Sequence, residues 1–191
     1  MTGPEIAEKL LTAEEFYLLE DPIEGGKMEL VRGRMVYEMP VSGKHGTRAA
    51  DISYALLGFT RAHSLGKVGL ESGFKLEQDP DTVRAPDVYF VSTAMLGPGG
   101  IPEEGYIPFV PTLAVEVVSP NDLDWKVMEK VDDYLAAGVP RVWVVRPKRQ
   151  SVTVYRSGGL ARVLRIDDVL TSDDAGFDAE GFTLPVREIV A

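Results

Sequence analysis

Cysteine is absent from this 191-residue chain, so neither a disulfide nor a thiolate metal site can form, and a reducing compartment fits. Histidine occurs only twice, at His45 and His63, too few for a multi-histidine zinc site. No apolar run reaches the roughly 18 residues that a membrane helix needs. The N-terminal stretch also lacks a basic segment followed by an apolar core, so the expectation is a cytoplasmic protein with no membrane span or secretory signal. Positive charge is scarce: 20 Lys and Arg stand against 30 Asp and Glu, for a net charge of −10. That balance argues against a protein that coats nucleic acid non-specifically, because such binding depends on neutralising phosphates. It does not exclude a metal-dependent site, where a cation supplies the local positive charge. Internal repeats and low-complexity tracts are missing as well.

What remains is ordinary globular material, 45% hydrophobic and 26% charged, of a length that suits one domain spanning residues 1–191. One stretch organises it. Leu113 to Pro120 reads Leu-Ala-Val-Glu-Val-Val-Ser-Pro, a nearly continuous apolar run with the pattern of a strand buried on both faces. Glu116 interrupts it. An ionised carboxylate there costs several kcal/mol of desolvation unless it is paired, hydrogen-bonded or bound to a metal.

Taken in order, Thr12-Ala-Glu-Glu15 forms a capping box that opens a short helix, expected to end near Asp21-Pro22. Lys27 to Val31 and Arg34 to Met39, joined at Arg32-Gly33, predict a hairpin. Glu29 lies inside its first strand, and two readings are open: simple alternation turning it to solvent, or a position turned into a site. Apolar residues at Ile52, Ala55, Leu56, Phe59 and Ala62 predict an amphipathic helix from about Gly46 to His63. His45 stands just before it, where an exposed loop histidine is the favoured reading and a helix cap or phosphate contact the other. Gly66 to Glu77 holds two strand fragments, and Asp79-Pro80-Asp81 a turn. In Arg84 to Val91, Pro86 biases Ala85 to extended geometry and leaves Asp87 at a strand entrance. The Gly- and Pro-rich segment from Met95 to Pro111 reads as a loop that could border a site.

Ser119-Pro120-Asn121-Asp122 then starts a helix expected to reach about Ala137, with Gly138 as its C-terminal cap. Strands follow at Val142–Val145, Val152–Tyr155 and Ala161–Ile166. A right-handed β-α-β crossover makes the Glu116 strand and the Val142 strand parallel neighbours. The last 25 residues read as acidic turns with a short Phe182–Leu184 piece.

Two carboxylates on neighbouring strands, Asp87 and Glu116, followed by a helix carrying Lys126 and Lys130, suit a hard divalent cation. The backbone carbonyl of Val117 could complete its inner shell. Such a cation orients water and stabilises charge on a phosphorane-like transition state, with an amine nearby. On the helical wheel Lys130 lies beside the buried stripe of Val127, Val131, Tyr134, Leu135 and Gly138, and Lys126 lies further round. Lys130 is therefore the favoured amine, flanked by Lys126 and Tyr134. For each lysine taken alone, a solvated residue paired with Asp122, Glu129 or Asp133 is the competing reading.

Pro86-Asp87 followed by Glu116-Val-Val resembles the PD-(D/E)XK nuclease superfamily. The ordered set Glu29-Leu-Val-Arg-Gly33, Ala85-Pro-Asp-Val88, Val115-Glu-Val-Val-Ser-Pro120, Lys130-x-x-x-Tyr134 and Gly138-Val-Pro-Arg-Val-Trp143 resembles, over residues 10 to 160, the bacterial Uma-two type of restriction-endonuclease-like proteins. Val118 departs from the superfamily, because the lysine of Glu-x-Lys belongs there; in the family it resembles, the following helix supplies that lysine, here Lys130. The resemblance implies an α/β (mixed α+β) sheet flanked by helices around a restriction-endonuclease-like core, and frequent homodimers. It also implies Asp87 and Glu116 as ligands of Mg²⁺ or Mn²⁺, Lys130 as catalytic amine, Glu29 as an accessory acid, and DNA as substrate. Lys126, Tyr134 and His45 are further candidates for accessory roles. The expected activity is endonucleolytic hydrolysis of DNA. The alternatives are a degenerate member acting as a binding or accessory module, and a carboxylate-metal hydrolase acting on a small phosphorylated molecule. A DNA-facing groove would draw on Arg32, Arg34, Lys44, Arg48, Lys67, Lys75 and Arg84.

Overall fold

The computed structural model describes residues 9–19, 26–120 and 122–191. Two expectations fall outside them, the helix end at Asp21-Pro22 and the part of Asn121 in starting a helix. Helix α1 (Ala13–Tyr17) carries the anticipated capping box, Thr12 Oγ1 accepting from the Glu15 N–H while the Glu15 carboxylate accepts from the Thr12 N–H. Strands β1 (Lys27–Val31) and β2 (Arg34–Glu38) form the hairpin around Arg32-Gly33. Gly33 has φ +76°, and a Cβ there would lie 2.6 Å from the Leu10 Cβ, so a side chain cannot fit at this turn.

Helix α2 (Gly43–Ala62) begins earlier than the apolar periodicity suggested, because Ser42 caps it by accepting from the His45 N–H. His45 is thus a first-turn helical residue rather than a loop residue preceding the helix. The chain continues through β3 (Gly66–Gly69), β4 (Phe74–Glu77), β5 (Thr82–Arg84), β6 (Val88–Ser92) and a single helical turn, α3 (Thr93–Leu96). Then come β7 (Leu113–Val117), α4 (Asp124–Ala136) and β8 (Arg141–Arg146). A 3₁₀ turn at Pro147–Arg149 leads to β9 (Ser151–Arg156), β10 (Leu160–Arg165), β11 (Val169–Thr171), α5 (Ser172–Ala175), β12 (Thr183–Pro185) and α6 (Val186–Val190).

Two sheets carry the site. One has four strands in the order β2-β1-β5-β4; the other has six in the order β10-β9-β8-β7-β6-β3. The crossover through α4 makes β7 and β8 parallel, as β-α-β handedness requires, with Glu116 opposite Val144. The other pairings within these two sheets are antiparallel. Alternation along β7 sends Val115 and Val117 into a core with Ile52 and Leu56 of α2, and Ala114 toward Val127, Val131 and Tyr134 of α4. Glu116 shares the α4 side with Ala114.

One expectation changes. The final 25 residues are not mainly turns: Leu170, Val186 and Ile189 are fully buried in the α2-side core, because six strands expose more apolar surface than one helix can cover. The loop from Met95 to Pro111 is anchored, since Ile107 bridges to Phe74 and packs with Tyr89 and Val91.

Candidate active site

The chain passes from the four-stranded to the six-stranded sheet at Ala85-Pro86-Asp87, and the charged residues converge on that seam. Alternation in β1 puts Met28 and Leu30 against Phe16 and Val83, which leaves Lys27 and Glu29 on the opposite face. In the hairpin register Lys27 faces Glu38, so Glu38 joins the same face. Strand β7 brings Glu116 from the other sheet, and α4 supplies Lys130 and Tyr134 one turn apart.

Asp87 is buried. Its Oδ2 accepts from the Val117 N–H at 2.7 Å, which fixes the carboxylate beside the Glu116 backbone. Its Oδ1 lies 3.3 Å from His45 Nε2 and 3.8 Å from Lys27 Nζ, neither of them in hydrogen-bond alignment. His45 Nδ1 meets Ser119 Oγ at 3.1 Å, which orients the ring. Burial acts to raise the Asp87 carboxyl, but His45, Lys27 and the Val117 N–H outweigh it and hold it below the ordinary range. Burial likewise works against a charged His45, yet Asp87 prevails and raises it, with Asp122 and Glu116 adding to the effect.

Glu116 is held at both oxygens. Tyr134 donates its hydroxyl to Oε1 at 2.8 Å, and Lys130 donates to Oε2 at 3.3 Å. Desolvation nevertheless pushes the Glu116 carboxyl up to about 7; Lys130 and Lys27 oppose the rise, while Asp87 and Glu29 add to it. Lys130 offsets only part of that burial. Lys130 Nζ is shared among Glu38 Oε1 at 2.5 Å, Glu116 Oε2 at 3.3 Å and Glu29 Oε1 at 3.4 Å. These carboxylates drive the Lys130 ammonium well above its usual range despite burial.

Glu29 does not face solvent; it is fully buried. It accepts from Arg84 at 2.8 Å and from the Ala85 N–H at 2.9 Å, and Lys130, Lys27 and Arg84 together overcome its desolvation, keeping it low. Arg84 is 2% exposed and also donates to Asp133 at 2.6 and 2.9 Å. It therefore cannot line a DNA groove.

Of the sequence candidates, the structure brings Asp87, Glu116, Lys130, Glu29, Tyr134 and His45 into one cluster. Lys126 stays outside it, exposed on α4 with its ammonium 5.7 Å from the centre of the Trp125 ring. The exposed-loop reading of His45 is overturned, since the residue is buried against Asp87. Sequence reasoning missed Lys27 and Glu38, and it named Arg84 for a DNA groove rather than for the buried seam. The hairpin register carried a signal for the first two, because it sets both on the Glu29 face. Among the other basic residues named for a groove, Lys75 is engaged by Asp81 and Glu14, and Arg32 by Asp133 and Glu129.

Two carboxylates fit a hard cation that keeps most of its waters, as Mg²⁺ does with one or two protein carboxylates. Asp87, Glu116, Glu29 and Glu38 share Lys27, Lys130 and Arg84 among the described residues of the seam, and Arg84 is divided further with Asp133, so added positive charge is favoured. A denser ready-made cage is not present: among the described residues no group of three or more His, Cys, Asp or Glu converges as a ligand set.

The chain belongs to the Uma2 family, described as "putative restriction endonuclease", whose model matches residues 13–186. A solved structure described as "a putative nuclease belonging to DUF820", from Anabaena variabilis, aligns with a TM-score of 0.76. It is 20% identical, and the match covers 94% of this chain and 97% of that one. The fold is therefore the mixed α/β, restriction-endonuclease-like arrangement of sheets flanked by helices. No curated protein matches the chain. Among the described residues, no helix is long and apolar enough to cross a membrane.

Proposed function

We propose that Asp87 and Glu116 hold a divalent cation, Mg²⁺ or Mn²⁺, and that the protein hydrolyses phosphodiester bonds of DNA as an endonuclease. The observation that carries this reading is the charge deficit at the sheet seam. Glu116, raised to about 7 when its neighbours are the protein alone, is the carboxylate that gains most from a cation beside it. When bound, such a cation supplies polarisation of a phosphoryl oxygen and activation of water.

The chain's own residues do the rest. The Val117 N–H clamps Asp87, while Tyr134 and Lys130 clamp Glu116, so both carboxylates are oriented before a ligand arrives. Glu29 is a positioning residue: held by Arg84 and the Ala85 N–H, it holds the Lys130 ammonium beside Glu116. Val117 also presents its carbonyl on the same edge as its N–H, toward Asp87, as strand geometry dictates.

A second reading, a folded accessory module without catalysis, is favoured by the net charge of −10, which opposes approach to a polyanion. Nicking of supercoiled DNA separates the two. The nuclease reading expects nicking with Mg²⁺ or Mn²⁺, lost in Asp87→Ala and in Glu116→Ala; a wild-type protein that nicks no DNA substrate supports the module.

A further inference from the structure

Three features lie outside the machinery just described. An open groove runs between α2 and α6, lined by Tyr54, Phe59 and Leu184 with Asp51 and Glu188 at its rim, but nothing in the structure indicates an occupant. Buried Asp174 gathers Arg156 and Arg162 into a network that satisfies itself. The third feature is Lys27.

Lys27 and Lys130 differ in what holds them. Three carboxylate oxygens surround the three N–H groups of the Lys130 ammonium, so a substrate oxygen can bind it only by displacing one of them. The Lys27 ammonium is covered and has no hydrogen-bond partner among the described residues; its nearest anion there, Asp87 Oδ1, is 3.8 Å away. A covered ammonium with unmet donors is costly unless a ligand meets it. Its side chain is one-fifth exposed, so the amine lies just beneath the surface at the start of β1. It is also close enough to help lower Asp87, Glu29 and Glu116 together.

We infer that Lys27 is a catalytic residue whose ammonium donates to a non-bridging oxygen of the phosphate seated at Asp87 and Glu116. This inference rests on the phosphodiester reading of that site. Lys130 then serves as the internal counter-ion that orients Glu116, and Lys27 takes the substrate-facing place for which Val118 offers no amine. The position suits this role, since β1 enters the seam from the four-stranded sheet, opposite the Glu116 strand. A phosphate between the two sheets would thus be met from both sides. No proton transfer is required of Lys27. Its contribution is a fixed positive charge beside the developing negative charge.

Calorimetric titration of inorganic phosphate into the Mg²⁺-saturated protein tests the assignment without requiring turnover. Lys27→Met and Lys27→Gln are expected to weaken phosphate binding at least tenfold, and Lys27→Arg to restore it to within about threefold. Exposed Lys9→Met, paired with Glu15 away from the seam, should bind as the wild type does. Thermal unfolding with Mg²⁺ should show the cation-induced shift intact in the Lys27 variants, which separates a phosphate contact from loss of the cation site. With duplex DNA, the salt dependence of binding should flatten by about one phosphate contact in Lys27→Gln. Unchanged phosphate affinity in Lys27→Met and Lys27→Gln overturns the inference, as does a wild type that binds no phosphate with Mg²⁺ present. A wild type that binds phosphate through Lys27 but cleaves no DNA would instead reject the nuclease reading and leave the Lys27 assignment standing.

Discussion

Arg84 and Glu29 meet at 2.8 Å with both side chains sealed from solvent, joining two strands of one sheet across 55 residues of sequence. The pair sits directly behind the candidate site, since Glu29 also faces the Lys130 ammonium. Removing one member leaves the other's buried charge short of one partner, and full loss of a partner from a buried pair typically costs about 3–5 kcal/mol. Arg84→Met and Glu29→Gln should therefore each lower the urea midpoint substantially. The double variant should lose much less than the sum of the two. Additive losses would show that the two residues act independently.

Glu116 makes stability depend on pH. Its folded-state value of about 7 lies above the ordinary 4.5, so the folded protein holds this proton more tightly than the unfolded chain. The resulting stabilisation is fully present below about 4.5 and is lost as pH rises through about 7. In metal-free buffer Glu116→Gln should accordingly be more stable than wild type at about pH 8, by on the order of 2 kcal/mol, with the gap closing toward about pH 5. Added Mg²⁺ should raise the melting temperature of the wild type and leave Glu116→Gln unmoved. A glutamine variant that melts below wild type in the same alkaline, metal-free buffer would contradict the assignment.

Asp81 anchors α1 and has the opposite sign. Burial works to raise it, but the Ala13 N–H at 2.7 Å and Lys75 at 3.0 Å outweigh that and keep it below the ordinary 3.8. Its contribution is present above 3.8 and disappears as pH falls through the depressed value. At neutral pH Asp81→Asn should speed amide exchange across Ala13–Tyr17, and the difference from wild type should shrink in acid. Equal exchange at neutral pH would mean that the helix is held by Phe16 packing alone.

Ile189 tests the C-terminal segment. It is fully buried against the α2-side core, so Ile189→Ala should cost about 2–5 kcal/mol by thermal or chemical denaturation. A near-neutral result would match the reading of these residues as surface turns.

Legibility in the sequence followed the range of the interactions involved. The Thr12 capping box, the Arg32-Gly33 hairpin and the β7–α4–β8 crossover rest on local pattern and chain handedness, and each is present. Asp87, Glu116, Lys130 and Tyr134 could be named because each breaks or flanks an apolar pattern. The buried pairing of Arg84 could not be read, because strand β5 has only three residues and its partners Glu29 and Asp133 are 55 and 49 positions away. Lys27 looked like the polar first residue of a strand; only the folded arrangement around it reveals an enclosed ammonium. The α6 residues were hidden by their acidic surroundings, although Val186, Ile189 and Val190 carry a helical spacing that fits a buried face.

The seam between the sheets also sets an order of assembly. Arg32 and Asp133, which close one side of it, are separated by 101 residues. At roughly 5–20 residues per second, a ribosome needs on the order of 5–20 s to travel from the hairpin to the helix that receives it. During that interval the nascent β1–β2 hairpin first lacks Arg84 and then still lacks Lys130 to neutralise Glu29 and Glu38. Until then its charged face is neutralised by water rather than by those partners. Glu29 therefore meets both Arg84 and Lys130 only once α4 has emerged and the two halves of the chain have met.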